Sequence, residues 1–430
     1  MIKHDTHCAG IRKSLSKFDL NTLAKEQGWT QREGGKIAPD AFCAAMIGST
    51  CLSTASLRTL AFLSGTLSES SVSKQAFHKR LNPKACGFFE ALLAEVVSDK
   101  IPGDSGGLDR RFGRIVVQDS TSISLPDHLL ESFKGPKNAS GERAGLKIHA
   151  SFDLLSRRFV GFDIRDQRSA DQSFALEGVE GLAQGDLLLR DLGYFSIASF
   201  RELEANGAHA LSRWQPHVEL SDPDNLDTIE LLPLLRGGKR IDRRVLAGRQ
   251  ERFPMRLIAF PVPKEVAERR RGKLRENMKR KGRSPSRKIL ELQGWQIYLT
   301  TCPRELLPFD DAFELYRQRW AIEILFKGFK SHMRIDCVPP RASESMVRCL
   351  IFSSLIRVAM ACVVTLPLLF EVERTSEVSM LKVFSLIEAL GFEPGESYFK
   401  DAANLENFTR HSLYEKRKRK SLPHCLCSLG

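Results

Sequence analysis

A polar stripe runs along the segment LYRQRWAIEILFKGFKSH, Leu315 to His332, which is otherwise rich in Leu, Ile, Trp and Phe. On an α-helix with about 100° per residue, five polar side chains fall within a sector of about 80°. They are Tyr316, Arg319, Glu323, Lys327 and Lys330. Apolar residues cover most of the remaining circumference, so the spacing predicts a single helix packed on several sides. The stripe must face either water, with Glu323 paired to the lysines, or a polar ligand.

Two aspartates elsewhere could act together with Glu323. Asp119 follows RIVVQ and Asp191 lies in LLLRDLGY, two apolar runs that predict strands. Carboxylate oxygens are hard ligands that suit Mg²⁺, with Mn²⁺ as an alternative. Two such ions about 3.5 to 4 Å apart would activate an attacking oxygen and stabilise a leaving oxygen in phosphodiester hydrolysis. Taken singly, each aspartate could equally be a strand-end or turn residue. Three aspartates on neighbouring predicted strands compete for the same role: Asp153, Asp163 and Asp166.

The elements that must position these residues change character along the chain. After the Gly-rich linker Ile101 to Arg111, three strands are predicted in RIVVQDSTSISL, LKIHASFDLL and RFVGFDIRD, with the turn-rich KGPKNASGERAG between the first two. A helix, a fourth strand in GDLLLRDLGYF, another helix and a fifth strand in AHALSRW follow. This is the order of a ribonuclease-H-like sheet, in which the first and fourth strands are adjacent. Asp119 and Asp191 can therefore converge there, and the polar helix can deliver Glu323.

The predicted fold class is α/β: a ribonuclease-H-like core interrupted by a β-rich insertion, with an α-helical N-terminal domain and a helical C-terminal region. The insertion contains strand-like pieces in LDTIELLPLL, RFPMRLIAFPV and GWQIYLTT. We divide the chain into a helical N-terminal domain with a probable role in DNA binding (1–100), the first part of the core (112–214), the insertion with a basic arm (215–305), the second part of the core (306–348) and the C-terminal region with a basic tail (349–430).

The basic charge is concentrated in two runs. The run Lys264 to Lys288 has twelve basic and three acidic residues, and the run Glu415 to Lys420 has five basic residues and one acidic residue. The surplus of basic residues in these two runs equals the net charge of +13. Such a distribution is typical of a protein that meets a polyanion, most often nucleic acid, although a solvated flexible segment is the alternative. In the N-terminal part, SVSKQAFHKRL has Ser71 or Ser73 as an N-cap and is either a recognition helix or an ordinary basic surface helix.

Three further features bear on location and class. Ten cysteines without a framework spacing, and an N-terminus without a secretory signal, predict reduced thiols in a cytoplasmic protein. His424, Cys425 and Cys427 resemble half of a zinc site that has no second half. The apolar run Cys349 to Phe370 is long enough to span a membrane. Inserting Arg357 near the middle of the bilayer would, however, cost about 2.5 to 3.5 kcal/mol. Pro367 also interrupts its end, so we predict a buried core helix and no membrane.

The arrangement Tyr316-x2-Arg319-x3-Glu323-x6-Lys330 resembles the YREK signature of the DDE transposases of the insertion-sequence-four family. Asp119 in QDSTS and Asp191 in RDLGYF are also typical of that family. The resemblance covers residues 114–340. It implies a transposase that binds the terminal inverted repeats of its element, cleaves the ends with two Mg²⁺ ions held by Asp119, Asp191 and Glu323, and transfers the 3′-OH to target DNA.

The resemblance also implies roles for the remaining polar residues. Tyr316, Arg319 and Lys330 would hold backbone phosphates of double-stranded DNA at the transposon end, and Lys327 shares their face. Relatives cut by way of a DNA hairpin and hold a flipped base with an aromatic residue, which implies a stacking role for Trp295 or Trp320. Trp295 could equally be a core residue of the insertion. Because the two transposon ends must be paired, the resemblance implies a homodimer in a synaptic complex. The protein is expected in the cytoplasm, associated with the nucleoid when it is bound to DNA.

Two other functions remain open from the sequence. A catalytically silent DNA-binding protein that has kept the fold would bind DNA without regard to metal and would not nick strands. A metal-dependent nuclease without strand transfer would cut ends but not join them.

Overall fold

Strand β1 (Ile115–Ser124) contributes residues to both of the units into which the chain folds in the computed structural model. Unit 1 comprises Met1–Leu108, Asp119–Ser169 and Trp320–Ser428, and unit 2 comprises Asp109–Gln118, Ala170–Arg319 and Leu429–Gly430. The structure describes residues 2–31, 35–49, 56–98, 111–138, 141–237, 240–331, 334–372 and 401–412, with isolated positions between 379 and 390. The half-site around Cys425 and the basic tail lie outside the described residues. The predicted domain boundaries stay a prediction.

The described N-terminal part of unit 1 is helical. Its helices are α1 (Ile2–Leu15), α2 (Leu20–Glu26), α3 (Pro39–Ser49), α4 (Leu57–Leu67), α5 (Lys74–Arg80) and α6 (Pro83–Ser98). Three helices begin where a side chain accepts a hydrogen bond from an exposed N–H of the first turn: Asp19, Ser56 and Ser73. Ser73 is thus the N-cap of α5. The helices pack on an aromatic core in which the ring of Phe42 lies 4.7 Å from that of Trp29 and 5.0 Å from that of Phe77.

Unit 1 also contains the three strands β2 (Lys134–Asn138), β3 (Gly141–Asp153) and β4 (Arg158–Asp166), with β3 antiparallel to both of the others. The second half of β1 lies beside β3. The turn-rich KGPKNASGERAG contributes one more strand than the sequence predicts, because its two arms pair as the hairpin of β2 and β3. Close pairing explains one of its glycines: a Cβ on Gly135 would lie 2.2 Å from the Arg143 carbonyl oxygen.

The remaining described helices of unit 1 are α13 (Trp320–Ser331), α14 (Glu344–Val372) and α15 (Ala402–Ser412). Helix α14 packs on α6, α3 and β4. By length and composition its segment Glu344–Cys362 could cross a membrane, but 83% of that segment is buried in the protein, and the Arg357 side chain is buried with it. This burial is typical of a core helix, as predicted. Pro367 does not end the helix, which continues to Val372.

Unit 2 is built on one continuous sheet. It contains the first half of β1 and the strands β5 (Leu187–Arg190), β6 (His209–Arg213), β7 (Leu220–Ser221), β8 (Ile241–Ala247), β9 (Phe253–Pro261) and β10 (Trp295–Thr300). Their order is β1-β5-β6-β10-β9-β8-β7. The first three are parallel and the others pair antiparallel. The parallel strands are almost fully buried, which explains their continuous apolar sequences.

The helices of unit 2 are α7 (Asp171–Glu177), α8 (Ile197–Ala205), α9 (Leu231–Gly237), α10 (Lys264–Arg280), α11 (Arg287–Leu292) and α12 (Asp311–Arg317). The prediction of a strand in LDTIELLPLL is wrong, because its second half forms α9. Pro233 lies in the first turn of α9, where its missing N–H has no helical partner to lose. The basic arm is likewise helical over α10. Strands β9 and β10 lie where the sequence predicts them, and the overall class is mixed α/β with a large sheet.

A buried ion pair links three segments of unit 2. The Arg256 guanidinium donates to both carboxylate oxygens of Asp242, at 2.6 and 2.8 Å, and to the Leu307 carbonyl at 2.7 Å. The same carboxylate is 3.1 Å from Arg304, whose side chain is mostly exposed. Burial raises the pKa of Asp242, but the bonds from Arg256 and the nearby positive charges outweigh it and hold that pKa below its usual value.

We expect Asp242→Asn to lower the free energy of unfolding by about 3 kcal/mol, because it leaves the buried Arg256 guanidinium without its counter-ion. Arg304→Ala removes an exposed partner and should cost less than about 1 kcal/mol. Because the pKa of Asp242 is lower in the folded than in the unfolded protein, its ion pair stabilises the folded state above the unfolded pKa. This stabilisation should be lost as the pH falls below about 4. Urea unfolding at pH 7 and at pH 3 measures both effects; equal costs for the two variants would contradict the assignment.

Candidate active site

Asp119 and Asp191 occupy corresponding places on two strands. In unit 2, β1 and β5 run parallel, and their last paired residues are Gln118 and Arg190. Each aspartate is the next residue along its own chain segment. Asp191 leaves the sheet with extended backbone and begins a short 3-10 turn at Leu192, and its side chain is 42% exposed. In unit 1, Asp119 is half-buried and its Oδ1 accepts from the backbone N–H of Ser120 at 2.8 Å.

The segment with the polar stripe is two helices, so the prediction of one helix from Leu315 to His332 is wrong. Helix α12 ends at Arg317 and α13 begins at Trp320. Between them the Arg319 N–H donates to the Tyr316 carbonyl three residues back, at 3.1 Å, which tightens the turn as in a 3-10 helix. The buried side chains of Gln318 and Arg319 occupy this turn. The helical wheel therefore does not describe the segment as a whole.

The unit 2 part of the stripe lies beside the end of β5. The buried Arg319 guanidinium, 8% exposed, has its Nη2 4.0 Å from Asp191 Oδ1. The Tyr316 hydroxyl donates to the Arg190 carbonyl oxygen at 3.0 Å. Burial raises the pKa of Tyr316, and the negative charge of Asp191 raises it further, so this hydroxyl stays a proton donor. Both residues of α12 and its turn thus contact the strand end that carries Asp191.

The unit 1 part of the stripe lies on α13. Glu323, Lys327 and Lys330 are spaced three and four residues apart, so they share one face of that helix. Lys330 Nζ donates to the carbonyl oxygen of Ser122 at 2.9 Å, three residues beyond Asp119 on β1. Glu323 is half-buried and Lys327 is exposed. The opposite face is anchored in the core by Phe329, whose ring is 5.5 Å from that of Phe159.

A buried polar network under the end of β5 was missed from the sequence. The Arg190 guanidinium donates from Nε to Gln118 Oε1 at 2.7 Å and from Nη1 to Ser199 Oγ at 3.1 Å. Burial lowers the pKa of Arg190 to about 9, although the Tyr194 ring and hydroxyl nearby oppose this. The only signal in the sequence is an arginine that closes an otherwise apolar strand, LLLR, directly before the predicted catalytic aspartate.

The two tryptophans proposed for base stacking differ in exposure. Trp295 is the first residue of β10, is half-buried, and its carbonyl accepts from Arg270 at 3.3 Å. Trp320 is the first residue of α13 and is 56% exposed. An exposed indole has a free face for stacking, whereas the backbone around Trp295 is tied to the basic helix α10.

The competing aspartates have local structural partners. Asp153 is buried and accepts from the backbone N–H of Leu155 at 3.0 Å and from the Ser156 hydroxyl at 2.6 Å, which makes it a turn residue. Asp163 pairs with Arg165 on its own strand. Within the part of the chain that the structure describes, no three His, Cys, Asp or Glu side chains form a group that could hold a metal ion. The assignment of a metal to Asp119, Asp191 and Glu323 therefore rests on the chemistry of their carboxylates.

Basic surfaces occur in both units. In unit 2, helix α10 is held by Arg270, which donates to Gln296 Oε1 at 2.8 Å, and by Arg271, which donates to the Leu290 carbonyl at 3.0 Å. Its exposed cations are Lys264, Arg269, Lys273, Arg275, Lys279 and Arg280. In unit 1, α5 buries Phe77 and exposes Lys74, Gln75, His78 and Lys79. The recognition-helix role of α5 stays a prediction.

The chain is similar to known proteins of one kind. Residues 110–357 match the family model described as "Transposase DDE domain". The chain is 28% identical over 309 residues to the transposase for insertion sequence element IS231F of Bacillus thuringiensis subsp. israelensis, covering 67% of this chain and 64% of that protein. It is 25% identical over 443 residues to the transposase for IS1151 of Clostridium perfringens, covering 95% and 93%.

A solved structure is similar at a lower level. The cryo-EM structure of a piggyBac transposase synaptic complex with hairpin DNA matches with a TM-score of 0.44 and 11% identity, covering 94% of this chain and 83% of that one. At this level the match supports no inference about function.

We expect Tyr316→Phe to cost about 1 kcal/mol at neutral pH, because the buried bond to the Arg190 carbonyl is lost. Because the pKa of Tyr316 is higher in the folded than in the unfolded protein, its hydroxyl stabilises the folded state fully below the unfolded pKa. This stabilisation is lost as the pH rises above about 10. The variant should therefore lose stability less steeply than the wild type in alkali. Urea unfolding between pH 7 and pH 11 checks this, with Tyr298→Phe as a control that removes another buried tyrosine whose pKa is raised by burial. Equal alkaline slopes for wild type and Tyr316→Phe would reject it.

Proposed function

The chain belongs to the transposases with a DDE domain, and from that premise we propose that it binds the terminal inverted repeats of an insertion sequence, cleaves the DNA ends and joins the freed 3′-OH to target DNA. One observation carries the proposal. Asp119 and Asp191 directly follow Gln118 and Arg190, the last paired residues of two neighbouring parallel strands. Residues that directly follow the last register pair of two parallel strands lie next to each other in the chain direction, so we expect the two carboxylates to be neighbours.

The finer fold that we propose is a ribonuclease-H-like core made of β1, β3, β4, β5 and β6. Two observations support it. In unit 1, β3 lies between β4 and the second half of β1, and in unit 2 the parallel strands follow in the order β1-β5-β6. Strands β7 to β10 with α9 to α11 then constitute the insertion, which is mixed α/β and not only β-rich.

We propose that Asp119, Asp191 and Glu323 hold Mg²⁺, or Mn²⁺ as an alternative. The donor set fits, because carboxylate oxygens are the ligands that these hard cations prefer and the described residues of the stripe add no thiol or imidazole. When bound, the ions would lower the pKa of a water nucleophile and neutralise charge on the departing oxygen. Arg319, whose Nη2 is 4.0 Å from Asp191, also supplies a positive charge beside that carboxylate.

Arg319 is the residue of the stripe that we assign first to the DNA backbone. Its guanidinium is held beside the end of β5, and a planar fork can donate two parallel bonds to a phosphate. Water would attack the phosphorus of a phosphate held there and break its bond to the 3′ oxygen, which leaves as the free 3′-OH. This 3′-OH would then attack a phosphorus of the target DNA and displace the 3′ oxygen of the target strand. Lys327 is exposed on the same face of α13 as Glu323. Phosphate contacts by Tyr316 and Lys330 stay predictions, because both donate to backbone carbonyls here.

The remaining DNA contacts are proposed from exposure and charge. Trp320 is better placed than Trp295 to stack on a base, because most of its side chain is exposed. The exposed cations of α10 would follow the phosphate backbone outside the site. Two copies of the chain would pair the two ends of the element. The alternatives are a silent DNA-binding protein and a nuclease without strand transfer; the intact carboxylates favour neither over the transposase.

We expect Glu323→Gln to abolish end cleavage while end binding stays within about tenfold, because only a metal-binding charge is lost. The assay uses purified protein, Mg²⁺ and a plasmid that carries the gene with its native flanking DNA. The matched control is Glu314→Gln, a glutamate of the same segment that pairs with Arg317 and should retain cleavage.

The same assay separates the three functions. Cleavage by wild type with joined products supports the transposase, and cut but unjoined ends indicate a nuclease. Metal-independent binding without nicking indicates the silent protein. A Glu323→Gln variant that cuts as fast as wild type would reject the carboxylate triad.

We expect Arg319→Ala to weaken binding to the element ends by about tenfold or more, and to weaken nonspecific binding less, because a charge-assisted bond to phosphate is lost. Arg319→Lys should not restore the affinity, since an ammonium cannot donate as a planar fork. Arg317→Ala is the control: Arg317 lies two residues earlier, is exposed and pairs with Glu314. Gel-shift titrations with end and scrambled duplexes measure this, and an unchanged end affinity for Arg319→Ala would contradict the phosphate role.

A further inference from the structure

Resting on the proposed metal role of Asp119 and Asp191, we propose that Arg190 is a positioning residue that clamps β1 to β5 at their last paired position and so fixes the spacing of the two aspartates that follow. Arg190 itself would contact neither metal nor DNA. It would act through Gln118, the residue directly before Asp119.

The contacts of Arg190 join the two strands at their last paired position. Gln118 and Arg190 are register partners in the backbone ladder, and their side chains are also hydrogen-bonded, from Arg190 Nε to Gln118 Oε1 at 2.7 Å. Both side chains are buried, Gln118 at 2% and Arg190 at 1% exposure. This side-chain bond holds β1 and β5 together at the point where their pairing ends, directly before Asp119 and Asp191, and so would resist a separation of the two aspartates.

The clamp is itself held by the two helices that flank β5 in the chain. Arg190 Nη1 donates to Ser199 Oγ near the start of α8, and that hydroxyl donates to the Ser196 carbonyl at 2.8 Å. Gln118 Nε2 donates to the carbonyl of Gly178, the residue that ends α7. Each end of the Gln118–Arg190 bond is therefore fixed to a helix terminus, and neither side chain can rotate without breaking two bonds.

The chemistry of this cluster is unfavourable for stability alone. The acceptors of the Arg190 guanidinium are the neutral amide of Gln118 and the neutral hydroxyl of Ser199, and its Nη2 is buried without a hydrogen-bond partner among the described residues. A buried cation without a carboxylate partner is costly, and apolar residues of similar size often stabilise such sites. A buried arginine at this costly position therefore indicates a role in positioning the neighbouring residues. Groups that orient metal ligands affect metal affinity although they do not touch the metal.

The test is Mn²⁺ binding by the full-length protein without DNA, measured by electron paramagnetic resonance and calorimetry. We expect Arg190→Met and Gln118→Leu each to weaken Mn²⁺ binding by about tenfold or more. The double variant should be no worse than either single one, because both remove the same bond. Gln118→Glu keeps an acceptor for Arg190 but loses the donor to the Gly178 carbonyl, so it should weaken Mn²⁺ binding less than Gln118→Leu does. Ser199→Ala, which removes only the outer bond, should have the smaller effect.

The outcomes are distinguishable. If wild type binds Mn²⁺, Glu323→Gln does not, and folded Arg190→Met binds like wild type, the clamp is rejected while the metal site stands. If wild type and Glu323→Gln both fail to bind, the proposed metal role falls and the clamp falls with it. Circular dichroism and thermal unfolding establish folding. Should Arg190→Met not fold, Arg190→Lys decides: it keeps the charge but loses the fork, so weakened binding supports the clamp and wild-type affinity overturns it.

Discussion

The parallel pairing of β1 with β5 is the constraint on which the candidate active site depends. Its register, from Ile115 opposite Leu187 to Gln118 opposite Arg190, decides which residues come next on the two strands. A slip by one residue would reverse the faces to which every side chain of a strand points. The apolar residues of β5 are fully buried, so such a slip would also place polar groups in the core. The packing of the sheet thus protects the position of Asp119 and Asp191.

Three buried arginines of unit 2 are each stabilised differently. Arg256 has a bidentate carboxylate partner, Arg319 approaches Asp191 at 4.0 Å, and Arg190 donates to neutral acceptors. Burial is most costly for Arg190, whose acceptors carry no charge. The best paired of the three lies far along the sheet from Asp191, whereas the other two directly precede or approach that aspartate.

The chain passes from one unit to the other within the candidate site residues. One passage is at Gln118 to Asp119, inside β1, and another is at Arg319 to Trp320, in the turn between α12 and α13. Asp119, Glu323 and Lys330 therefore belong to unit 1, and Asp191, Tyr316 and Arg319 belong to unit 2. The break between α12 and α13 divides the residues of the stripe between the two units. Arg319 lies beside the end of β5. Glu323 and Lys330 lie on α13, a helix that Phe329 anchors in the core.

The sequence by itself determined the family and most of the strand–helix order from Arg114 to Arg213, because buried strands leave strong local patterns, while the roles of the signature residues stay predictions. It also indicated the core role of α14 through Arg357. Only the tertiary structure decided the hairpin of β2 and β3, the helix at Pro233, the helical basic arm and the break at Gln318. Local preferences there are weak or contradictory, and pairing or burial against distant residues outweighs them. The contacts of Arg190 were likewise beyond the sequence, since a hydrogen bond between residues 72 positions apart leaves no periodic trace.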